Sequence, residues 1–228
     1  MTDYISARET GGSGTRAGFG GGVDPLLFDD LLGPDAKLSV RNESCYVYQL
    51  ENATGTGLIT IYDVFPGVTL YYNDLHLRKI NGHDERPMPG GADMLIINHC
   101  REGRLECEFN DGEFGYLGEG DLAVSAAAPL KASSFPLSHY HGISIQIDLS
   151  QAEKTVGDVC GLLRVSQIDL RGIKTNLLEG RLYFLVRGTD AVAHIFAELY
   201  NAPPELKENY IRLKFIELLL FLSVAERV

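Results

Sequence analysis

The sequence predicts an α+β fold, with an antiparallel β-barrel followed by a helical segment, because the spacing of its apolar residues changes once along the chain. From about residue 45 to residue 149, apolar and polar side chains alternate, which is typical of half-buried strands. The strand at 142–149 is the most regular, with Ile143 and Ile145 on one face and Ser144 on the other. Many short strands in one run favour a barrel, and from residue 150 the apolar spacing becomes helical.

The same pattern divides the chain into three parts. Residues 1–22 contain the stretch GGSGTRAGFGGG, which has too few apolar side chains to offset the entropy lost on ordering, so we expect a flexible arm. We expect residues 23–149 to form the barrel and residues 150–228 to form the helical segment. Ser150 and Glu153 have the spacing of a capping box, which predicts that the first helix begins there.

The charge of the chain argues against nucleic acid as its direct partner. The sequence has 31 acidic and 20 basic residues, a net charge of -11, and no basic cluster that would attract a phosphate backbone.

The sequence has no apolar segment of the ~18 residues that span a bilayer. Asp3 and Glu9 stand where a signal peptide has basic and then apolar residues. The four cysteines match no metal or disulfide framework, so we expect a cytoplasmic protein without membrane association.

The last predicted helix, from residue 205 to about residue 226, carries two apolar stripes. A helix that is apolar on more than one side is either deeply buried or shared with a partner. Because this helix follows a complete β domain, we expect it to form a homodimer interface. The alternative is that both stripes pack on the barrel and on the helix predicted at 190–200. The stripe expected at the dimer interface consists of Ile211, Phe215, Leu218 and Leu222.

Three sequence segments together resemble the N-terminal domain of AraC-type bacterial transcription regulators. LGEGDL at 117–122 resembles the glycine-aspartate turn that leads into a strand of cupin-like barrels. FPLSHYHGI at 135–143 resembles the final, ligand-facing strand of that family. FAELY at 196–200 and LLLFL at 218–222 resemble its helical segment, and the similarity extends over about residues 45–225.

This resemblance implies a fold and a division of labour. The barrel is expected to be cupin-like, of the jelly-roll type, to bind a small-molecule effector and to dimerise through its C-terminal helices. DNA is expected to be bound only through a separate C-terminal domain with helix-turn-helix units, which the 228-residue sequence lacks. The resemblance therefore implies a regulatory module of a transcription regulator, neither an enzyme nor a protein that needs a cofactor.

The expected effector site centres on a histidine pair. If its strand begins before Gly142, His139 and His141 share a face with Ile143, and both imidazoles point into the barrel. The sugar-binding member of the AraC family uses a Tyr-His step on the corresponding strand to contact its ligand, and Tyr140 followed by His141 is similar to that step. His141 is therefore the first candidate and His139 the second. The complete expected set is His141, His139, Ile143, Tyr72 and His99.

Three alternatives stay open from the sequence. A His-x-His pair on a barrel strand is also the metal-binding pattern of cupin enzymes, which would make the chain a metal-dependent enzyme for a small polar molecule. Against this, Ile145 stands where such enzymes usually have a glutamate, and only His99 offers a third imidazole from a neighbouring strand. Alternatively, Gly142 breaks the register and both histidines lie at an exposed strand end. The last alternative is a filled barrel that binds no ligand.

Overall fold

The structure is a computed structural model that describes residues 34–42, 45–81, 93–128, 130–186 and 190–225. The arm predicted at 1–22 lies outside these residues. The described part contains eleven antiparallel strands, which lie in a single curled sheet. They are β1 Ala36–Arg41, β2 Cys45–Asn52, β3 Gly55–Phe65, β4 Val68–His76, β5 Lys79–Asn81, β6 Met94–Phe109, β7 Phe114–Gly118, β8 Leu122–Ala126, β9 Leu130–Ser134, β10 Tyr140–Asp148 and β11 Tyr183–Val186.

The strand order explains why the sheet curls into a half-barrel. Its main path runs β1-β2-β3-β4-β10-β6-β8-β11, so that β10 lies between β4 and β6. The long strand β6 pairs with β10 and β8 along its first half and with β7 and β9 along its second half. A strand that serves two sets of neighbours brings them round to face each other. The predicted antiparallel β-barrel followed by helices is confirmed, with the sheet curled into a half-barrel.

Helices cover the outer face of this half-barrel. In the described part they are α1 Leu149–Leu163, α2 Leu170–Leu178, α3 Asp190–Asn201 and α4 Lys207–Ser223. The N-cap predicted at Ser150, with Glu153 as its capping-box partner, is wrong by two residues, because α1 begins at Leu149 and Asp148 accepts hydrogen bonds from the backbone N–H groups of Ser150 and Gln151. None of these helices is long and apolar enough to cross a membrane.

The sheet is buried on both faces and therefore has two cores. Alternate residues of β10, Ile143, Ile145 and Ile147, pack with the helices in an outer core. The inner core, in the hollow of the half-barrel, contains Tyr71 and Tyr140 among other residues of the opposite face. The apolar face that the sequence shows in β10 is therefore the face that supports the helices.

The stripe predicted to lie at a dimer interface belongs to this outer core. Its four residues are fully or almost fully buried within the chain, because α4 packs against α3 and β3. The prediction that they contact a second subunit is therefore wrong, and the alternative of packing on the chain's own sheet and helices is confirmed for them. The corrected residues are Ile211, Phe215, Leu218 and Leu222.

Candidate functional site

A cavity of about 240 Å³ lies on the inner face of the half-barrel. Its apolar wall includes Leu105, Cys107 and Phe109, the inward-facing row that alternates with charged residues along β6. Further apolar walls come from β3, β4 and β11. Among the described residues that line the cavity, none has a charged side chain. The cavity is therefore suited to a neutral molecule.

A row of hydrogen-bonding side chains crosses the floor of the cavity. The Tyr71 hydroxyl on β4 donates to the Gln146 Oε1 on β10 at 2.9 Å. The Asn73 Nδ2 on β4 donates to the Ser144 Oγ on β10 at 3.0 Å. Burial raises the pKa of Tyr71 far above its ordinary value, so this phenol stays a hydrogen-bond donor. These pairs leave amide and hydroxyl groups that a ligand in the cavity can contact.

Tyr140 adds a polar group that has no partner in the described part of the chain. Its hydroxyl is completely buried and makes no hydrogen bond there, while its ring lines the cavity. The ring fits because Gly142 has no side chain, since a Cβ at that position would lie 2.3 Å from the Tyr140 hydroxyl oxygen. A buried hydroxyl without a partner costs free energy, which makes this position a point of strain beside the cavity.

Three of the residues predicted to bind the effector lie on the other face of the sheet. The Tyr72 hydroxyl donates to the Leu199 carbonyl of α3 at 2.9 Å. The imidazole of His99 stacks on Phe196 with ring centroids 4.0 Å apart, and burial lowers the pKa of His99 to about 4. Ile143 is buried in the outer core. The expectation that Tyr72, His99 and Ile143 face the hollow is wrong, since all three hold the helices on the sheet.

These side chains face the helices because apolar groups gain most where packing excludes water completely. In this chain that surface lies between the sheet and the helices. The hollow instead contains a cavity, to which β10 contributes Ser144 and Gln146. Alternation in the sequence identified two faces correctly, but it does not indicate which face turns inward.

The histidine pair also lies on the outer face, at the end of β10 beyond the helices. His141 pairs with Asp74 across β4 in unbroken register, so its side chain projects from the same face as Ile143. Opposite this step, β6 has one extra residue, Arg101, because its register shifts between Cys100 and Glu102. The expectation that His139 and His141 point into the barrel is wrong, and their placement at a partly exposed strand end agrees with the alternative that the sequence left open.

The structure brings the histidine pair together with residues that the sequence analysis did not select. His76, at the end of β4, lies with its ring centroid 5.1 Å from that of His139 and 5.6 Å from that of His141. Two carboxylates, Asp74 and Glu102, contact the same imidazoles. The spacing Asp74-x-His76 at a strand end was the available signal, but only the pairing of β4 with β10 makes it meaningful.

The cysteines give no sign of an activated nucleophile. Burial raises the pKa of Cys100 to about 12 and that of Cys107 to about 11, so both remain protonated thiols. Cys107 faces the cavity, where it acts as a small apolar side chain. All four cysteines, including Cys45 and Cys160, are unpaired.

No family model matches this chain, and no curated protein matches its sequence. Among solved structures, the chain is similar to ToxT of Vibrio cholerae with a bound unsaturated fatty acid, at 11% identity and a TM-score of 0.39, over 74% of this chain and 55% of ToxT. It is similar to the AraC-like transcriptional activator CuxR at 14% identity and a TM-score of 0.38, over 89% of this chain and 67% of CuxR. It is also similar to an oxalate decarboxylase of Bacillus subtilis at 10% identity and a TM-score of 0.34, over 69% of this chain and 45% of the decarboxylase.

The fold is thus a half-barrel with a helical layer. The chain spans about half the length of ToxT. These similarities concern the fold alone.

Proposed function

We propose that this chain is a small-molecule sensing module of an AraC-type transcription regulator, with the effector bound in the inner cavity. The observation that supports this is the combination of an uncharged cavity of about 240 Å³ with a row of hydrogen-bonding side chains along its floor. Such a combination is typical of small-molecule sites, where apolar walls provide affinity and a few polar groups fix orientation.

The lining also defines the class of effector. A charged ligand would lose its hydration without meeting an opposite charge among the described lining residues, which costs several kcal/mol. The volume is below the ~300 Å³ at which pockets for drug-sized ligands begin. The proposed effector is therefore a small neutral molecule with an apolar body and one or two hydroxyl, carbonyl or amide groups.

The strands that line the cavity also contact the helices through their opposite face. Gln146 faces the cavity, while its neighbours Ile145 and Ile147 are buried against the helical layer. Tyr71 likewise contacts Gln146, and the next residue, Tyr72, donates to α3. A ligand that repositions Gln146 therefore shifts residues on which the helices rest, and a ligand acts on such an equilibrium through its different affinities for the two arrangements.

Homodimerisation and DNA binding remain parts of this proposal. Since the buried stripe of α4 is not available, the proposed dimer uses the exposed apolar residues of that helix, of which Leu213 is 61% exposed. Phe221 is also exposed, eight residues further along, so both lie on one side of the helix. Contact with DNA is proposed only through a separate C-terminal domain of the regulator.

A cupin enzyme with its metal in the barrel is a less suitable interpretation of the same site. Such a reaction needs the metal and the substrate in one cavity, with imidazole or carboxylate ligands facing it. The described residues that line this cavity include neither a histidine nor a carboxylate. The histidines project from the opposite face of the sheet.

The proposal is tested by ligand-induced thermal stabilisation. The chain is screened with neutral sugars, alcohols, amides and small aromatic compounds, and with an unsaturated fatty acid as a charged comparison. A specific ligand at about 100 times its Kd stabilises the fold by about 2.7 kcal/mol. We expect Gln146→Leu to abolish this stabilisation and His141→Gln to retain it. Retention in Gln146→Leu with loss in His141→Gln would move the effector site to the histidines, and a preference for the fatty acid would contradict the neutral class.

A further inference from the structure

We infer that His76, His139 and His141 form a binding site for a divalent transition metal ion of the Zn²⁺ type on the outer face of the half-barrel, at the paired ends of β4 and β10. One ring nitrogen from each histidine lies within 4.8 Å of the corresponding nitrogens of the other two. This site is separate from the effector cavity, because the strands that both sites share present opposite faces to them.

The distance between two of the imidazoles matches a metal coordination shell. The Nδ1 atoms of His76 and His139 lie 3.4 Å apart. Two ligands of a tetrahedral Zn²⁺ ion with Zn–N bonds of about 2.0–2.1 Å are about 3.4 Å apart. His141 lies close to both rings, with its centroid 4.5 Å from that of His139. A small cation between His76 Nδ1 and His139 Nδ1 would therefore meet these two nitrogens at the spacing that it requires, with His141 close by.

Each imidazole also contacts a carboxylate, and His141 does so through both ring nitrogens, since its Nδ1 lies 3.8 Å from Glu102 Oε2. His76 Nε2 lies 2.9 Å and His141 Nε2 lies 2.5 Å from the same oxygen, Asp74 Oδ1. His139 Nε2 lies 3.4 Å from Glu102 Oε2. A neutral imidazole that donates its Nε2–H to a carboxylate carries its lone pair on Nδ1, which is the arrangement found around protein-bound metals.

The two facing Nδ1 atoms of His76 and His139 are positioned to bind one cation between them. If His76 and His139 both donate from Nε2, their Nδ1 lone pairs face each other at 3.4 Å, which is repulsive in the absence of a positive charge. Either a proton or a metal ion relieves that repulsion. Asp74 and Glu102 supply two negative charges, which together balance one divalent ion.

The backbone and the neighbouring side chains hold this cluster in place. Asp74 and His141 are direct partners in the β4–β10 register. Ser138, which precedes His139, has φ 54°, a left-handed conformation uncommon for a residue with a side chain, and its Oγ accepts a hydrogen bond from Arg78 Nε at 3.2 Å. Arg101 Nε lies 3.3 Å from Glu102 Oε1, which leaves the other oxygen for His139.

The cluster is also accessible to an ion from solvent. The side chain of His76 is 55% exposed, and those of His139 and His141 are 33% and 29% exposed. Three protein ligands leave the fourth position of a tetrahedral ion open, as in zinc sites that exchange a water or accept a further ligand. The site thus fits a metal ion that enters and leaves the folded protein.

Titration of the chain with Zn²⁺ alone tests this inference. The protein is prepared without a histidine tag, treated with a chelator, and titrated in competition with a chromogenic chelator, with Co²⁺ absorption as a second readout. We expect one Zn²⁺ per chain and a Zn²⁺-dependent rise in the unfolding temperature. The variants His76→Gln, His139→Gln and His141→Gln should each weaken Zn²⁺ affinity at least about tenfold.

Two further variants separate a metal site from a general surface effect. Asp74→Asn should weaken Zn²⁺ affinity about 10–100-fold as a positioning residue, and Asp74→Glu should restore part of it. His194→Gln is the matched control, because His194 is also a partly exposed histidine whose Nε2 contacts a carboxylate, Glu217, at 3.0 Å. This control should bind Zn²⁺ like the parent.

The inference is overturned if the parent binds Zn²⁺ no more tightly than His139→Gln, or if His194→Gln loses as much affinity as His76→Gln. Unfolding temperatures measured in chelator should be equal in parent and variants, so that lost binding is not lost structure. The result is independent of the effector proposal, because stabilisation by a cavity ligand is measured in chelator with the same proteins.

Discussion

The stability of this fold in mild acid should depend on His99. Its imidazole lies flat on Phe196 of α3, with an angle of 6° between the rings, and its Nδ1 is 3.3 Å from the Tyr200 hydroxyl. Burial is the largest influence on this group and lowers its pKa from 6.5 to about 4, while the negative charge of Asp121 opposes the shift. In the folded protein His99 is therefore neutral at the pH at which the unfolded chain begins to protonate it.

The sign and size of the effect follow from this difference in pKa. Because the pKa is lower in the folded state, the unfolded chain binds more protons between about pH 6.5 and pH 4. The stability linked to neutral His99 is present above pH 6.5 and is lost as the pH falls towards 4. Each pKa unit corresponds to about 1.4 kcal/mol, which gives a loss of about 2 kcal/mol by about pH 5 as an upper bound for a ring that retains some solvent contact.

The measurement compares the free energy of unfolding in urea, as a function of pH, between the parent and His99→Phe. The variant keeps an aromatic ring against Phe196 but cannot bind a proton. A pH-independent difference in stability between His99→Phe and the parent does not affect the test. The test compares only how steeply the free energy of unfolding falls in acid. We expect a shallower slope for His99→Phe and a parental slope for the exposed control His194→Gln. Parallel curves for parent and His99→Phe would show that His99 titrates normally in the folded state.

Two further predictions concern packing and assembly. Gly142→Ala should destabilise the fold by about 1–3 kcal/mol in urea unfolding, because its Cβ would lie 2.3 Å from the Tyr140 hydroxyl oxygen. Gly161→Ala in α1 meets no atom within 4 Å and should not destabilise it, so equal effects would contradict this reasoning. In light scattering, Leu213→Asp should convert a dimeric parent into folded monomers, whereas buried Leu218→Asp should unfold it. A dimer that survives Leu213→Asp does not use this face.

The sequence was sufficient for the elements whose pattern is regular over many residues. The alternation at 142–149 predicted β10, which the structure extends to Tyr140, and the apolar rows of α1, α3 and α4 predicted those helices. Helix α2 and strand β11 were not predicted. β11 spans only Tyr183–Val186, which is too short for a period to be recognised, and it is a strand because it pairs with β8.

The site was harder to predict because it depends on pairing between distant segments. The sequence contains the His139-x-His141 pair, but the third imidazole comes from His76 on β4, whose local spacing to Asp74 becomes meaningful only when β4 pairs with β10. His99 was the histidine expected on a neighbouring strand, and the structure places it against α3 instead. The polar residues that alternate with the isoleucines of β10, Ser144 and Gln146, line the cavity, which the alternation alone does not indicate.

Both proposed sites depend on one pair of strands, β4 and β10. Gln146 and Ser144 face the cavity, Ile145 and Ile147 carry the helices, and His141 belongs to the outer cluster. Protein interiors are close-packed, so a shift of β10 caused by a ligand on one face changes the contacts on the other. An effector in the cavity and a metal ion at the strand ends therefore act on the same element. By linkage, any factor by which Zn²⁺ alters effector affinity must equal the factor by which the effector alters Zn²⁺ affinity.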